Sequence, residues 1–372
     1  MTMSRIVLVG GFLGAGKTTL LAQATSRLAQ RGKRIGLITN DQAPNLVDTA
    51  ILEESRAAVE EVSGGCFCCR FDELVGAMDR LLTPPAPDVL LGEPVGSCTD
   101  LSATVLQPLK KHYRERFCVA PFSVLVDVKQ VRTLDRLRES LDNAQSARFP
   151  DNVMYIYEKQ LEEADVIVLN KADLLPRDEL TMVEASLREN FPQAPVITIS
   201  ALNGAGVDGW LDHVMEARDA GRTIATVDYD EYAEGEAALG WLNATIKLHG
   251  DSNTDWKSFC VKLVRAAQRE FQKVSAEIAH LKLRLAAGAN ALTANLTANH
   301  AEPFIQGEIE GSPTEAVMLL NLRAKIDPAP LKAITERCVN MVAGDSIQAM
   351  WEESQCFAPS RPRPTHRFTE VV

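Results

Sequence analysis

The chain has 372 residues, 46% of them hydrophobic, and a formal net charge of −11. This length favours two domains, and the composition is that of an ordinary globular protein. The negative charge argues against partners such as nucleic acids and anionic membrane surfaces, and no apolar stretch is long enough to span a bilayer. Eight cysteines, three of them crowded within residues 66–69, do not resemble a secreted disulfide framework. We therefore expect reduced thiols and a cytoplasmic location.

The first predicted elements are a strand at 5–10, a glycine loop at 11–18 and a helix at 19–31. The loop reads GFLGAGKT and fits G-x-x-x-x-G-K-[ST], the phosphate-binding P-loop. We interpret the apolar run 6–16 as part of this unit and not as a signal-peptide core, because only one basic residue precedes it. The alternative is a glycine turn without a ligand.

This loop predicts a binding site for a nucleoside triphosphate. Its backbone N–H groups and the helix N-terminus supply partial positive charge to phosphates. Lys17 is expected to reach the β- and γ-phosphates, and the Thr18 hydroxyl to bind Mg²⁺. The predicted nucleotide contacts here are Gly11, Gly14, Ala15, Gly16, Lys17, Thr18 and Thr19.

Repeated strand–helix units follow the loop. Further strands are predicted at 34–39, 88–91, 122–127, 165–170 and 195–200, with helices at 72–82, 99–116, 128–141, 153–163, 178–190 and 207–217. Nearly continuous apolar strands separated by helices predict a doubly wound, mostly parallel sheet covered on both faces, in a domain over 1–220. Ligands of such sheets bind at the carboxyl ends of the strands, where Asn40, Asp41, Glu93, Asn170 and Ser200 are placed.

A cysteine turn lies between the second and third predicted strands. Cys66, Cys68 and Cys69 can face one point only in a tight turn, which Gly64 and Gly65 permit. Thiolates suit Zn²⁺ or Cu⁺, and three protein ligands leave a tetrahedral ion one position open, as in sites that exchange ligands. The alternatives are a redox pair or inert buried cysteines.

Cys98 is a candidate fourth thiolate, because it follows the loop that carries Glu93. A buried hydrophobic role is favoured for it.

The fifth predicted strand ends in NKAD at 170–173. Guanine presents two donors on one edge, and the Asp173 carboxylate is able to accept both, whereas adenine lacks the N1–H. Asn170 and the stem of Lys171 would hold the other edges, with Ser200 and Ala201 closing over the base. The alternative is a helix N-cap formed by Asn170 or Asp173.

The pattern changes after an acidic, irregular connection at 218–236. Strands are predicted at 240–248, 276–285, 290–297 and 315–326, with helices at 255–273 and 327–342. These elements predict a small α+β domain with an antiparallel sheet over 238–345. Residues 346–372, with a proline- and arginine-rich end, are predicted to be a flexible tail.

Residues 10–21, 65–69 and 170–173 resemble the CobW/HypB/UreG family of P-loop GTPases, most of all its CobW-like metallochaperone branch. The resemblance covers residues 4–217 and implies a GTPase that delivers zinc, cobalt or nickel to a client metalloprotein, with a nucleotide-dependent homodimer. Two departures stand out. Asp41 replaces the family's usual glutamate, and residues 93–96 read EPVG where the family has a Thr/Ser-Gly step.

The resulting hypothesis is a GTP-gated metal carrier. Thr18 and Asp48 would hold Mg²⁺, and Lys17, Asp41 and Glu93 are the catalytic candidates. The segment 41–48, Glu93 and Gly96 would sense the γ-phosphate. The choice among Asp41, Asp48 and Glu93 for ordering the metal or the water stays open, and Glu93 has an alternative role as a satisfied strand-end carboxylate. The rival functions are a P-loop kinase for a small molecule and a regulatory GTP switch with structural zinc.

Overall fold

A computed structural model describes residues 3–42, 47–53, 55, 57–131 and 151–372. These residues divide into two compact units. Of the described residues, those up to Gln42, those within 48–235 and Arg361–Val372 form the first unit, and Val47 and Glu236–Ser360 form the second.

The first unit contains a parallel sheet, as predicted. Among the described residues its strand order is β3-β2-β4-β1-β6-β7-β8, with β5 pairing with β1. The strands are β1 Ser4–Gly11, β2 Ile35–Asn40, β3 Ala58–Val62, β4 Val89–Glu93, β5 Phe117–Val119, β6 Ser123–Asp127, β7 Val166–Asn170 and β8 Val196–Thr198. Every pairing between them is parallel. The P-loop NTPase-like fold class is thereby confirmed.

Helices connect these strands. They are α1 Lys17–Gln30, α2 Val47–Glu53, α3 Phe71–Leu81, a π-helical turn at Ser102–Leu106, α4 Gln107–His112, α5 Asp151–Glu162, a 3₁₀ turn at Ala172–Leu174, α6 Arg177–Asn190, α7 Val207–Glu216 and α8 Tyr229–Ala237. The predicted helix over 128–141 falls mostly outside the described residues, which end at 131 on this side. The connection predicted to be irregular carries α8, whose Asp230 and Glu231 suit a helix N-terminus.

Two strands of this sheet are absent from the prediction. β3 reads AVEEV with mostly half-exposed side chains and lies at the sheet edge, so it lacks the apolar run of a central strand. β5 has only three residues and pairs outside the main strand path.

The second unit contains an antiparallel sheet of order β12-β11-β10-β13-β9-β14 among the described residues. Its strands are β9 Gly240–His249, β10 Ile278–Ala287, β11 Asn290–Leu296, β12 Phe304–Gly307, β13 Glu315–Ala324 and β14 Gln348–Phe357, and its helices are α9 Trp256–Lys273 and α10 Pro328–Ala343. Asp255 caps the N-terminus of α9, because its carboxylate accepts from Ser258 N at 2.9 Å. The predicted α+β architecture with an antiparallel sheet is present.

The end of the chain differs from the predicted flexible tail at 346–372. β14 pairs along its length with β9, and residues 361–372, here called the strap, belong to the first unit. The sequence analysis does not predict β14, because its side chains alternate between exposed and half-buried, as on an edge strand. The strap is held through hydrogen bonds and ion pairs with residues far away in sequence, which no local pattern reveals.

The carboxylate of Glu163 is buried next to the π-helical turn. It accepts hydrogen bonds from Ser102 N at 2.8 Å and from Thr99 Oγ1 at 3.3 Å. Burial raises its pKa well above the usual value, and the nearby Asp100 adds to the effect. The folded state therefore binds more protons than the unfolded state at pH values above about 4.5.

The free energy of unfolding should consequently fall as the pH rises above about 4.5. Glu163→Gln should remove this dependence on pH. We expect the free energy of unfolding of the variant, relative to the parent, to increase steadily from pH 5 to pH 8 in urea titrations. Glu162→Gln, on the more exposed neighbour, is the matched control and should leave the profile unchanged. Parallel profiles for Glu163→Gln and the parent would contradict the expectation.

No helix among the described residues is both long enough and apolar enough to cross a membrane.

Candidate functional site: the P-loop and the cysteine turn

The P-loop connects the buried strand β1 to helix α1. Gly16 precedes the helix with a φ of 100°, a left-handed conformation that favours glycine. A Cβ atom at this position would lie 2.4 Å from Asn170 Nδ2. Glycine is therefore required both by the backbone turn and by the close approach of the NKAD segment.

Four side chains meet at the start of α1. The Lys17 ammonium donates to Gly11 O at 2.9 Å and lies 3.9 Å from Glu93 Oε1. The Thr18 hydroxyl contacts the same Glu93 oxygen at 3.2 Å and donates to Asp48 Oδ1. Lys17, Thr18 and Glu93 are all buried. The structure thus brings together four residues that the sequence analysis placed around the phosphates and Mg²⁺.

The segment 41–48 and Gly96 are the other parts of the chain that are predicted to sense the γ-phosphate. Asp41 Oδ1 accepts from Gln42 N at 2.6 Å at the end of β2, and residues 43–46 of the predicted sensor segment lie outside the described residues. Gly96 lies beside the P-loop, since a Cβ atom there would be 3.2 Å from Lys17 Nζ. Thr19 is exposed in the first turn of α1.

The NKAD segment is tied to the back of the P-loop. Asn170 donates to Ala15 O at 2.8 Å and accepts from Ala201 N at 2.9 Å. Lys171, with a φ of 64°, donates to Gly14 O at 2.8 Å. Asp173 accepts from the Ser200 hydroxyl. The predicted base-binding residues therefore form one group with the loop that would hold the phosphates.

Asp127, absent from the predicted site, belongs to this group. It ends β6, and its carboxylate lies 2.7 Å from Lys171 Nζ, which fixes the lysine stem across the site. The signal was available, because Asp127 is a polar residue at the carboxyl end of a predicted strand next to β7.

The cysteine turn is held by Asn40, the last residue of β2. Its amide donates to Val62 O and to Gly65 O, both at 2.8 Å, and its oxygen accepts from Phe67 N at 2.8 Å. Gly64 enters the turn with a φ of 79°. Cys69 N and Arg70 N both donate to Cys66 O at 3.0 and 2.9 Å, after which α3 begins.

The three sulfurs converge as predicted, all lying within 4.8 Å of one another. The separations are 2.7 Å for Cys66–Cys68, 3.3 Å for Cys66–Cys69 and 3.8 Å for Cys68–Cys69. Zn–S bonds of about 2.3 Å at tetrahedral angles place sulfurs roughly 3.8 Å apart. A zinc ion would therefore require only small outward movements of the sulfurs.

The three thiols of the cysteine turn differ in pKa. Hydrogen bonds from Cys68, Cys69 and Cys98 hold the pKa of the Cys66 thiol well below its usual value. The same contact with Cys66 raises the pKa of Cys68, and it raises that of Cys69 to about 11. Hydrogen bonds within the cluster thus favour ionisation of one of its thiols, and the thiolate is the form that binds a metal ion.

The strap covers one side of this turn. Arg363 N donates to Cys69 Sγ at 3.1 Å, and Thr365 N donates to Cys68 O at 2.9 Å. Further along, Arg367 Nε lies 2.7 Å from the fully buried Asp100 carboxylate, which also accepts from the Tyr229 hydroxyl at 2.7 Å. Phe368 N donates to Ala103 O at 3.0 Å.

Arg367→Ala should release the strap and expose Cys69. A charge-assisted hydrogen bond contributes roughly 1.5–3 kcal/mol, so the open fraction should rise by about tenfold or more. Iodoacetamide labelling of Cys69, followed by peptide mass spectrometry, measures this. Arg363→Ala is the matched control, because its backbone N–H, and not its side chain, contacts the sulfur. Equal labelling rates for Arg367→Ala and the parent would refute the expectation.

Known proteins resemble this chain in sequence. The profile of the family described as "CobW/HypB/UreG, nucleotide-binding domain" matches residues 5–198, more than half of the chain. The zinc chaperone CobW of Sinorhizobium sp. is 30% identical over 216 residues, which are 53% of this chain and 58% of that protein. The zinc chaperone YeiR of Escherichia coli K12 is 31% identical over 179 residues, which are 46% and 47% of the two chains.

The chain spans about half the length of the curated relatives that it matches. Among solved structures, the Zn(II)-bound YjiA GTPase from E. coli aligns with a TM-score of 0.37 at 17% identity, over 91% of this chain and 99% of that one. The matched family region contains the P-loop, the cysteine turn and the NKAD segment described above. The chain therefore belongs to the CobW/HypB/UreG family of nucleotide-binding domains.

Proposed function

We propose that this protein is a GTP-hydrolysing metallochaperone that binds zinc at Cys66, Cys68 and Cys69 and passes it to a client metalloprotein. One observation supports this most directly. β2 and β4 are hydrogen-bonded neighbours, with Thr39 opposite Glu93. β2 ends in Asn40, which holds the cysteine turn, and β4 ends in Glu93, which contacts the P-loop side chains. The two candidate sites therefore lie on adjacent strands of one rigid sheet.

The residues around Thr18 fit Mg²⁺. This ion prefers oxygen ligands, and oxygens of Thr18, Asp48 and Glu93 converge at the start of α1. Thr18 and Asp48 would hold the ion, which neutralises charge on the phosphates when bound.

The chain's own residues supply the rest of the proposed reaction. The Lys17 ammonium is placed to stabilise charge on the β- and γ-phosphates, and the loop amides orient them. Glu93 and Asp41 are the candidates to order the attacking water, and Gly96, beside Lys17, is the candidate to sense the γ-phosphate. No covalent nucleophile is needed.

Zinc is the proposed cargo because two curated relatives carry the name zinc chaperone and because thiolates suit this ion. Cobalt and nickel are the alternatives, since affinity alone does not select the physiological metal. We place the protein in the cytoplasm, with a nucleotide-dependent homodimer as a further element of the proposal.

Calorimetry tests the proposal. Zinc should bind with different dissociation constants to the nucleotide-free protein and to protein saturated with a non-hydrolysable GTP analogue, by roughly 5–150-fold. The zinc-loaded protein must show the same factor in its affinity for the analogue. Identical zinc dissociation constants in the two states would end the proposal, and an ATP analogue at the same concentration serves as the control.

Asp173→Asn should weaken GTP binding by at least about a hundredfold, because an amide in place of the carboxylate accepts one guanine donor but opposes the other. The same variant should bind xanthosine triphosphate more tightly than the parent does, since xanthine presents an oxygen where guanine has its 2-amino group. Fluorescent nucleotide titrations measure both effects. Asp178→Asn, an exposed aspartate in the first turn of α6, is the matched control. Unchanged GTP affinity would contradict the assignment of the base site.

A further inference from the structure

The strap contacts the most exposed cysteine of the cysteine turn. Cys66 and Cys68 are 4% and 2% exposed, whereas Cys69 is partly exposed. Arg363 N, in the strap, donates to Cys69 Sγ at 3.1 Å. A second protein that approaches the three sulfurs from the side of Cys69 therefore meets the strap first.

Two backbone hydrogen bonds align the strap with the turn. Besides the bond from Arg363, Thr365 N donates to Cys68 O at 2.9 Å. These donors are two residues apart, and residues i and i+2 of an extended segment face the same side. The strap thus presents one N–H to a sulfur and another to the backbone that carries the sulfurs.

The rest of the strap is attached to the first unit through separate contacts. Residues 361–372, all of which the structure describes, contain no helix or strand. Arg367 Nε lies 2.7 Å from the buried Asp100 carboxylate, and the His366 ring packs edge-on against Phe71 with 5.0 Å between centroids. A segment held by such contacts, and not by sheet pairing, can detach while the sheet stays intact.

A hydrogen bond to sulfur gains importance when that sulfur binds a metal ion. A thiolate ligand keeps lone pairs that accept hydrogen bonds, and contacts of this kind to metal ligands tune the affinity for the metal. Hydrogen bonds to ionised acceptors are roughly twice as strong as those between neutral groups. The Arg363 N–H would therefore stabilise the Cys69 thiolate, and with it the bound ion.

We infer that the strap is a displaceable part of the metal site, which stabilises the ion through the Arg363 N–H and blocks its transfer to another protein until the strap detaches. This inference rests on the proposed function, since it concerns the same ion. Three sulfurs leave a tetrahedral ion one open position, and the strap controls access to that position.

Transfer of zinc to an excess of a chromogenic chelator tests the inference on the full chain loaded with one equivalent of zinc. Arg363→Pro removes the N–H donor, and a proline is compatible with this position because Arg363 already lies between two prolines. We expect zinc affinity to fall by roughly tenfold, and transfer to be faster by a similar factor. Arg363→Ala keeps the N–H and is the matched control, which should behave as the parent does.

Arg367→Ala is the second variant, because it removes the ion pair with Asp100 and keeps the N–H donor. Zinc transfer from it should be at least about tenfold faster than from the parent, in proportion to the open fraction of the strap. Arg367→Lys retains a cation for Asp100 and should recover most of the slow rate of the parent.

Parental affinity and transfer rate in both Arg363→Pro and Arg367→Ala would overturn the inference while leaving the metallochaperone proposal intact. Equal acceleration in Arg363→Pro and Arg363→Ala would also overturn it, because the N–H would then have no part in the site. Failure of the parent to bind zinc would overturn both proposals. Arg363→Pro keeps the ion pair with Asp100, so it decides the question even where Arg367→Ala does not fold.

Discussion

Lys17→Ala should lower GTP turnover by at least about a hundredfold. Lys17 is the cation of the P-loop, held within 3.9 Å of Glu93 and beside Gly96, and removal of one preorganised charge donor typically costs this much in rate. Turnover is measured by phosphate release at saturating GTP. Zinc affinity in the absence of nucleotide should not change, because the Lys17 ammonium is bound to the P-loop carbonyl of Gly11 and lies beside Glu93.

The matched control is Lys33→Ala, at an exposed lysine in the turn after α1. It removes the same charge from the chain and should leave turnover unchanged. Thermal denaturation of Lys17→Ala checks the fold, because the lysine also donates to Gly11 O. Turnover equal to that of the parent would remove the P-loop from the proposed reaction. Phosphate transfer to a metabolite instead of water would favour the rival kinase.

Replacement of Cys66, Cys68 and Cys69 by serine should abolish zinc retention. The variant removes every sulfur of the turn, and a serine hydroxyl is a poor ligand for zinc at neutral pH. Zinc binding at thiolate sites has a free energy of roughly 10 kcal/mol or more. We therefore expect zinc affinity to fall by at least about a thousandfold. The measurement is the zinc content after gel filtration against a chelator, with metal analysis of the protein peak.

Cys118→Ser is the matched control, because Cys118 is partly exposed and its sulfur accepts from Arg5. It should retain zinc fully. GTP binding to the triple variant should persist, since the turn supplies none of the P-loop contacts. Zinc retention by the triple variant would contradict the assignment of the metal site, and zinc that resists prolonged chelation of the parent would favour a structural ion in a regulatory switch.

The central strands of the parallel sheet could be predicted from the sequence, because a short apolar run is a local pattern. β1, β2, β4, β6 and β7 are short, mostly apolar runs, as strands covered on both faces must be. β3 and β14 lie at sheet edges with mixed polarity, so their pairing depends on a neighbour that is distant in sequence. The strap likewise depends on distant partners, since Arg367 pairs with Asp100 and packs against Tyr229.

The sequence by itself determined the family of this protein and its candidate sites. The P-loop, the three-cysteine turn and the NKAD segment are each recognisable from the identity and spacing of neighbouring residues, because local backbone geometry fixes how such close residues meet. Only the tertiary structure decided which distant groups join them. Asn40 anchors the cysteine turn and Asp127 fixes Lys171, because the parallel sheet brings the ends of separate strands to one edge.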